Sequence, residues 1–385
     1  MDDIMIFYAY IASGVGGFFL VFSLLNIIWL ALYTKKPSVF DAGHVTVCVP
    51  ARNEEKNIEN CVRSLMNQSY KDYDVVVLDD NSTDSTPVIL DELYKEFPGK
   101  LRVMNGRPLP SGWTGKIFAM HQLVQEAKGN YLLFTDADTV HDVDSIAFAV
   151  TNMERHKSDM LSGYIKQRML TFGEQTTVPL MYMLTGFVLP LFLNRISSFP
   201  AASVAIGQYI MIRRDVFEAV GGYKSMRGMI SEDVFLARLV KSHGYKTIFV
   251  DCKKAASCRM YASYQEGVHG IMKNIFSFMS NKTFLLLASV LAVVLFLLLP
   301  FPLFFISVFH DYVEGFGQTL FSSLLGLNVG MMFLTWVFVS LSQKLPFATP
   351  FLYPLLFGNL VYMAMLSYNH SVSGEGFVWK GRVVH

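Results

Sequence analysis

Carboxylates recur at four places in this chain, each beside a short apolar run. The four segments read VCVPARNEE (47–55), VVLDDNSTD (76–84), FTDADT (134–139) and ISEDVFLARL (230–239). In the first three, the apolar run has the β-branched composition of a buried strand and the acidic residues follow it. Open α/β sheets place their ligand groups at the carboxyl ends of strands. The pattern therefore predicts that these carboxylates meet at one ligand site.

The pair Asp136 and Asp138 follows the run YLLFT with one residue between the two. If that stretch is extended, alternate side chains point the same way and both carboxylates can face one site. Mg²⁺ or Mn²⁺ accepts one or two carboxylates together with substrate phosphates, so such an ion would neutralise a departing diphosphate. Taken alone, an Asp-x-Asp pair is as often a solvated turn or a helix cap.

A second acidic pair, Asp79 and Asp80, ends the run VVVL and precedes an Asn-Ser-Thr-Asp turn. A carboxylate at this place can accept a hydrogen bond from a base N–H or a ribose hydroxyl, as in dinucleotide folds. The alternative is a turn followed by a helix that Asp84 or Ser82 caps. Both interpretations can hold, because only one of the paired aspartates needs to face the site.

Lys116 lies in PSGWTGKIFAM, directly after a glycine-containing turn and at the start of a predicted helix. A helix N-terminus and an ammonium group together favour phosphate. On its own, an exposed lysine would be the more common explanation.

Glu232 and Asp233 precede apolar positions that predict a short amphipathic helix. Transfer of a group to a hydroxyl requires a base within hydrogen-bond reach of the attacking oxygen. Either carboxylate can supply it, and we favour Asp233. The alternative is an acidic pair that caps the helix start.

The elements that would position these residues alternate between strand and helix. Strands are predicted at 45–50, 74–78, 101–104 and 130–134, with helices from Asn53, over 84–94 and over 116–127. This alternation predicts crossover connections and a mostly parallel sheet. After Asp144 the pattern becomes irregular, as expected for an acceptor-binding half.

Composition indicates a membrane protein with a folded domain. Charged residues make up 16% of the 385 residues, against roughly 25% in an average soluble protein. The net charge of +1 gives no field that would gather nucleic acid, so we expect no nucleic-acid partner. The four cysteines show no CxxC pair and are expected to be reduced thiols of a cytosolic domain.

Long uncharged stretches cover residues 4–34, 283–309, 315–343 and 345–369. Each is long enough to cross a bilayer. We interpret residues 1–36 as a retained anchor, and the basic pair Lys35-Lys36 places the following domain in the cytoplasm. These features predict a multi-pass protein of the cell membrane.

Two apolar segments are interrupted by proline. The run 178–193 carries Pro179 and Pro190 and lies between motifs that must share a compartment, so we expect an interfacial or re-entrant segment; the alternative is a buried core helix. In 345–369, three prolines in the first half interrupt helix hydrogen bonding. We predict that this segment dips into the bilayer and returns, which keeps the C-terminal tail beside the catalytic domain.

Over roughly residues 44–275 the chain resembles glycosyltransferase family 2, the inverting nucleotide-sugar transferases with a Rossmann-like α/β fold. The matching segments are VPARNEE (49–55), LDDNSTDST (78–86), Gly115-Lys116, TDADT (135–139), GQYIMIRRDVFEAVGGY (207–223) and SEDVFLARLVKSHGY (231–245). The resemblance implies nucleotide contacts from Pro50, Glu54, Asp79, Asp80, Lys116 and Asp136, a Mg²⁺ or Mn²⁺ ion on Asp138 and Asp136, a base at Asp233 beside Glu232, and acceptor contacts from Gln208 and Arg238.

Within that family, GWTGK and CRMYASYQEGVHGIMKNIF (258–276) are most similar to the lipid-directed group of carotenoid-acid and hopanoid-associated glycosyltransferases. The Tyr, Phe, Met and Lys of the latter stretch suit a helix in the membrane interface. Trp379 and Arg382 resemble part of the Gln-x-x-Arg-Trp motif of processive synthases, although the order differs and the Gln is absent. They imply a lid on donor or acceptor; the alternative is a basic tail at the headgroups.

These observations predict a membrane anchor (1–36), a cytosolic catalytic domain (44–257), an interfacial amphipathic helix (258–282) and a C-terminal membrane region with a basic tail (283–385). The expected activity is transfer of a hexose with inversion from a nucleotide sugar, UDP-glucose first, to a lipid acceptor. Alternatives are a polyisoprenyl-phosphate sugar synthase and a processive polysaccharide synthase, which three C-terminal spans disfavour. A transporter is disfavoured because the apolar stretches carry essentially no charged groups.

Overall fold

The computed structural model describes residues 2–38, 42–187, 189–196, 199–229, 231–278, 282–314, 319–373, 377–379 and 382–384. The strands are β1 (Val45–Ala51), β2 (Tyr73–Asp79), β3 (Leu101–Asn105), β4 (Tyr131–Phe134), β5 (Thr139–His141), β6 (Met160–Tyr164), β7 (Lys166–Gln167), β8 (Ile210–Arg213), β9 (Thr247–Asp251), β10 (Ala256–Cys258), β11 (Phe377–Trp379) and β12 (Arg382–Val384).

The helices are α1 (Asp2–Tyr33), α2 (Ile58–Met66), α3 (Thr86–Glu96), α4 (Gly115–Glu126), α5 (Ser145–His156), α6 (Phe172–Gln175), α7 (Leu180–Tyr182), α8 (Leu193–Ile196), α9 (Arg214–Ala219), α10 (Glu232–Ser242), α11 (Tyr264–Phe278), α12 (Thr283–Val293), α13 (Pro300–Val313), α14 (Leu320–Gln343) and α15 (Tyr353–Ser373). Short 3₁₀ turns cover Pro200–Ala202, Gly222–Met226 and Thr349–Leu352, and π turns cover Met183–Phe187 and Val294–Leu298.

The main sheet has seven strands in the order β3-β2-β1-β4-β8-β6-β9. Strands β3, β2, β1 and β4 are mutually parallel, β8 is antiparallel to both of its neighbours, and β6 and β9 are parallel. The predicted α/β fold with a mostly parallel sheet is therefore confirmed. The predicted start of the second helix at Asn53 is wrong, because the chain turns before α2 begins at Ile58.

Register brings the predicted ligand loops to one edge of this sheet. Ala51 at the end of β1 pairs with Asp79 at the end of β2, and Cys48 pairs with Phe134 at the end of β4. Since the strands are parallel, the loops that follow all leave from the same edge.

A smaller sheet in the order β5-β10-β7 lies beside this edge. Its central strand pairs Cys258 with Thr139, directly after the Asp-Ala-Asp segment. The pairing places the chain that leads into α11 next to the predicted metal ligands.

Within the described part of the chain, four helical segments are long and apolar enough to cross a membrane by length and composition: Asp3–Tyr33, Thr283–Val313, Leu320–Gln343 and Thr349–Ser373. The first packs along the third. Ser13 Oγ donates to the Leu324 carbonyl at 2.7 Å, and Asn328 donates to the Ala12 carbonyl. At its C-terminal end, α1 meets the sheet domain through the Lys35 backbone N–H, which donates to Asn152 at 2.8 Å.

The proline-containing run 178–193 does not form a span. Its backbone consists of short helical turns, and its apolar side chains pack into the same core as the long helices. Asn26 of α1 donates to the carbonyls of Gly186 and Leu189 and accepts from the Leu191 N–H. Hydrogen bonds from the protein therefore satisfy polar backbone groups of this irregular segment.

The last long helix runs in the same sense as α14. The Phe351 ring lies 5.1 Å from that of Phe333, and the Phe357 ring lies 6.5 Å from that of Trp336, so both chains advance together toward Gln343. Segment 345–352 therefore folds back from the end of α14 before α15 begins.

The prediction that the prolines of this segment interrupt helix hydrogen bonding is only partly correct. Pro350 lies in a 3₁₀ turn and Pro354 lies in the first turn of α15, where a missing N–H costs nothing. The helix then continues without interruption for 21 residues.

Candidate active site

The first two loops at the sheet edge are held together by hydrogen bonds. The Asn53 N–H donates to Ser82 Oγ at 2.9 Å, and the Thr83 N–H donates to Asn53 Oδ1 at 2.8 Å. Asn53 and Asn81 have φ values of 51° and 55°, which asparagine tolerates better than most residues. Two rigid turns thus frame the ends of β1 and β2.

The double-Asp segment is buried beside these turns. Asp79 Oδ1 accepts a hydrogen bond of 3.1 Å from the Ser82 N–H, so this carboxylate holds its own turn. The Asp80 N–H donates to the Ala51 carbonyl at 2.8 Å. The predicted cap of the following helix by Asp84 or Ser82 is wrong: the N-cap of α3 is Ser85, whose side chain makes no cap hydrogen bond, and Asp84 instead accepts from the Thr86 N–H at 3.0 Å within the preceding turn.

Pro50 and Glu54 lie on the neighbouring strand and loop. Pro50 is in β1, opposite Leu78 and beyond the last residue that pairs with β4. The Glu54 N–H donates to Thr86 Oγ1 at 2.8 Å, and its carboxylate accepts from Asn57 at 2.9 Å. Both residues are half-buried at the edge where the predicted nucleotide contacts were expected.

The Asp-Ala-Asp segment is a turn and not the extended stretch expected from its sequence. The Thr139 N–H donates to the Asp136 carbonyl at 3.1 Å, which closes a four-residue turn between β4 and β5. Ala137 points into the core, whereas Asp136 and Asp138 are both half-buried. The turn nevertheless leaves both carboxylates accessible.

Lys116 joins two of the predicted motifs in space. Its ammonium lies 2.8 Å from Asp136 Oδ1 and 2.9 Å from Glu232 Oε1. Burial lowers the pKa of Lys116, but the two carboxylates outweigh burial and hold that pKa well above its ordinary value. The lysine is therefore a permanent cation between segments that are more than 90 residues apart in the chain.

Asp233 stands at the start of α10 beside this ion pair. Its Oδ2 accepts a hydrogen bond of 2.9 Å from the Gly207 N–H. The pKa of Asp233 is raised to about 6, first by burial and then by the neighbouring Glu232, which together outweigh the lowering effect of Lys116. A carboxylate with this pKa is ionised at neutral pH yet remains a better proton acceptor than an ordinary aspartate.

Asp138 contacts the start of the chain that leads to α11. Burial raises the pKa of the Cys258 thiol, and the Asp138 carboxylate, which accepts a hydrogen bond from that thiol, raises it further. Burial also raises the pKa of Cys61, with contributions from Asp138, Glu54 and Asp136. The charges of the first and third motifs therefore act on the same region.

The available ligand groups fit a hard divalent cation whose remaining ligands come from the substrate. Among the described residues, no group of three His, Cys, Asp or Glu side chains forms a ready-made metal site. Two accessible carboxylates remain, Asp136 and Asp138, and oxygen ligands of this kind suit Mg²⁺ or Mn²⁺ when substrate phosphates supply the rest.

The predicted acceptor residues Gln208 and Arg238 are placed differently from expectation. Gln208 is buried, its Oε1 accepts from Gln167 at 2.8 Å, and its Nε2 donates to Cys258 Sγ at 3.1 Å. The Gln208 side chain thus packs behind the site and supports it through these two hydrogen bonds. Arg238 follows Asp233 by five residues on α10, about 140° away around the helix, so the two side chains point to different faces.

The predicted tail residues form a small hairpin. Trp379 at the end of β11 pairs with Arg382 at the start of β12 in an antiparallel ladder. Their side chains lie outside what the structure describes, so a lid at these positions stays a prediction.

Lys273 was not among the predicted site residues, although α11 brings it to the cluster. Its pKa is lowered to about 8, because burial outweighs the raising effect of Glu232, Asp136 and Asp233. The available signal was its place in the stretch HGIMKNIF, where the only charged side chain interrupts an apolar helix face.

The fold has a counterpart among solved structures. The structure of the mannosyltransferase PcManGT from Pyrobaculum calidifontis, in complex with GDP-Man and Mn²⁺, aligns with a TM-score of 0.55 and 18% identity. The alignment covers 94% of this chain and 99% of that one. At this identity, the likeness shows a shared glycosyltransferase-type α/β fold.

The family model for Glycosyl transferase family 2 matches residues 46–221. The chain therefore carries a domain of glycosyltransferase family 2, and the predicted family is confirmed.

Curated relatives include glycolipid enzymes. A β-monoglucosyldiacylglycerol synthase of Nostoc sp. is 36% identical over 115 residues, which are 29% of this chain and 24% of the synthase. The 4,4'-diaponeurosporenoate glycosyltransferase of Staphylococcus haemolyticus is 22% identical over 249 residues, 64% of this chain and 65% of that protein. The chain thus matches only about a quarter of the first relative's length.

Proposed function

We propose that the protein is a membrane-bound inverting glycosyltransferase that moves a hexose from a nucleotide diphosphate sugar to a lipid acceptor. The observation that carries the proposal is the ion-pair cluster of Lys116, which joins Asp136 and Glu232 beside Asp233. Acidic groups from the strand end and from α10 would flank the two ends of a transferred sugar.

Asp233 is the proposed base. It would accept the proton of the acceptor hydroxyl or carboxyl as that oxygen attacks the anomeric carbon. The new C–O bond forms on one face of the sugar while the bond to the diphosphate breaks on the other, which inverts the anomeric centre. The hydrogen bond from Gly207 fixes the orientation of the carboxylate during this step.

The leaving diphosphate would lie on the opposite side of the transferred sugar. Lys116 would neutralise part of its charge from the N-terminus of α4. Asp138 and Asp136 would hold Mg²⁺ or Mn²⁺, which supplies Lewis-acid stabilisation of that leaving group. Asp79, Asp80, Pro50 and Glu54 would frame the nucleoside at the sheet edge.

A lipid acceptor is supported by the membrane helices and by the relatives. One curated relative is named for making β-monoglucosyldiacylglycerol and the other for glycosylating 4,4'-diaponeurosporenoate, and UDP-glucose is the first donor to test. Orientation follows from the basic pair Lys35-Lys36 after the first span, which favours a cytoplasmic catalytic domain.

The test uses purified full-length protein in lipid nanodiscs with labelled UDP-glucose, UDP-galactose, UDP-GlcNAc and GDP-mannose. Diacylglycerol, a carotenoid acid and undecaprenyl phosphate are supplied as separate acceptors. We expect Mn²⁺- or Mg²⁺-dependent release of nucleoside diphosphate and label in the organic phase. Label on undecaprenyl phosphate alone would favour the polyisoprenyl-phosphate alternative, and label on a water-soluble polymer would favour a polysaccharide synthase.

A further inference from the structure

Helix α11 lies between the sheet domain and the membrane helices. Its apolar residues Val268, Ile271, Met272 and Ile275 are buried in the same core as Trp336 of α14 and Met363 of α15. At its start, the Tyr264 hydroxyl donates to Asn359 Oδ1 at 3.0 Å. One side of α11 is thus fixed to the helices that are expected in the bilayer.

The other side of α11 is pressed against the catalytic domain. A Cβ atom on Gly267 would lie 2.4 Å from Thr177 Oγ1, and one on Gly270 would lie 2.2 Å from the Tyr261 ring. Only glycine permits so close an approach. Burial raises the pKa of Tyr261, and Asp138 raises it further, so this contact is adjacent to the Asp-Ala-Asp turn.

Lys273 follows Gly270 by three residues, so both lie on one face of α11. Its ammonium feels the charges of Glu232, Lys116, Asp136 and Asp233, and its side chain is half-buried. Tyr261 follows Cys258, which pairs with Thr139 next to Asp138, so the close glycine contact holds this face of α11 beside the cluster described above.

Charge balance indicates what this cation would bind. Asp136, Asp138, Glu232 and Asp233 are acidic, and the Lys116 ammonium is already within 2.9 Å of two of them. A nucleotide sugar brings further negative charge to the same place. The proposed Mg²⁺ or Mn²⁺ ion would offset part of this charge, and a second cationic side chain would reduce the repulsion that remains between the acidic cluster and its donor.

We propose that Lys273 is a diphosphate-binding residue, supplied to the catalytic domain by a helix that packs on the membrane region. This inference rests on the proposed function, because it assigns a further residue to the same donor site. It couples the placement of α11 to donor binding. Movement of α11 with the membrane helices would thus change the affinity of the site for the diphosphate.

The experiment measures binding of UDP, GDP and inorganic pyrophosphate to nanodisc-embedded protein by calorimetry, with Mn²⁺ present. Lys273→Met should weaken binding of the tightest of these ligands by about 10- to 100-fold, as expected for loss of one charge-assisted hydrogen bond. Lys273→Arg should retain it within about threefold, because the charge is kept. The exposed Lys344 provides the control, since Lys344→Met should bind as the wild type does.

Equal affinity of the wild type and Lys273→Met would overturn the role of Lys273 and leave the proposed function intact. Failure of the wild type to bind any of the three ligands would overturn both. A large loss in both Lys273→Met and Lys273→Arg would also overturn the proposal, because a phosphate contact tolerates the second cation.

The position of the helix is tested separately with glycine variants. Gly270→Ala must displace α11 from Tyr261 and should therefore weaken pyrophosphate binding as Lys273→Met does. Gly358 of α15 has nothing within 4 Å of an added Cβ, so Gly358→Ala should leave binding unchanged. If Gly270→Ala bound pyrophosphate as tightly as the wild type, the proposal that the position of α11 places Lys273 at the site would be wrong.

Discussion

Gly207 and Asp233 are joined by a hydrogen bond of 2.9 Å from the glycine N–H to Oδ2 of the carboxylate. The glycine precedes β8, whereas the aspartate lies in the first turn of α10, so the contact links the segment before a strand of the sheet to the proposed base. A Cβ on residue 207 would lie 3.3 Å from the Lys116 ammonium and 3.6 Å from Asp233 Oδ2. Because residue 207 has no side chain, the Lys116 ammonium and the Asp233 carboxylate can both approach its backbone closely.

Gly207→Ala is expected to lower kcat by about 10- to 100-fold, because displacement of reacting groups by a fraction of an ångström is costly. The fold should be retained, since the backbone of residue 207 needs no positive φ. Single-turnover transfer and thermal unfolding in detergent check the two parts. Gly330→Ala, where an added Cβ meets nothing within 4 Å, is the matched control. Full activity in Gly207→Ala would show that the cluster has room for a methyl group.

Asp233→Asn separates chemistry from binding. If Asp233 is the base, the variant should lose about 10²- to 10⁴-fold in rate while its sugar-nucleotide affinity stays within a few fold. The amide cannot accept the proton, but it keeps the shape of the carboxylate. Calorimetry with the donor and quenched-flow transfer give the two numbers. Collapse of affinity would make Asp233 a binding residue and move the search for the base to Glu232.

The fold and most of the site could be predicted from local sequence because strand ends and turns are local features. The run before Asp79 is apolar and β-branched and the run before Asp136 is apolar and aromatic, and parallel pairing then brings their ends together. The contacts of Gln208 and Lys273 could not be predicted. They depend on β10 pairing with β5 and on α11 packing against Tyr261, which are tertiary relationships between distant segments.

Asp138→Asn tests the proposed metal site. We expect loss of turnover and of the Mn²⁺-dependent part of nucleotide binding, because an amide oxygen is a poorer ligand than a carboxylate for a hard cation. Circular dichroism should be unchanged, since the half-buried side chain lies in a surface turn. Asp215→Asn, at a carboxylate that is 80% exposed, is the control. Undiminished activity of the wild type with excess chelator would remove the metal from the mechanism.

The raised pKa of Asp233 makes a prediction about pH. The base works only when ionised, so kcat/KM should fall as pH decreases through about 6. Glu232→Gln removes a negative charge that raises this pKa, so the acidic limb should move to lower pH in that variant. The measurement is the pH profile of kcat/KM at fixed ionic strength. A flat profile between pH 5 and pH 7 would exclude Asp233 as the titrating base.

The last prediction concerns the side of the membrane on which α15 ends. The helix advances in the same sense as α14, because Phe351 lies beside Phe333 and Phe357 lies beside Trp336. It also runs opposite to the segment Thr283–Val313, since Tyr353 at its start lies 5.8 Å from Phe301 in the second half of that segment, whereas α15 further along also contacts α12 in the first half. A helix in this direction returns toward the catalytic domain.

A cysteine at Ser373 should therefore resist a membrane-impermeant maleimide in intact cells and react after permeabilisation. The four native cysteines are buried, so they give little background. Tyr312→Cys, at a side chain that is 82% exposed in the last turn of the second span, should react in intact cells and is the outer control. Lys36→Cys is the inner control. Labelling of Ser373→Cys in intact cells would show that α15 ends outside, and the β11–β12 hairpin would then be excluded from the nucleotide site.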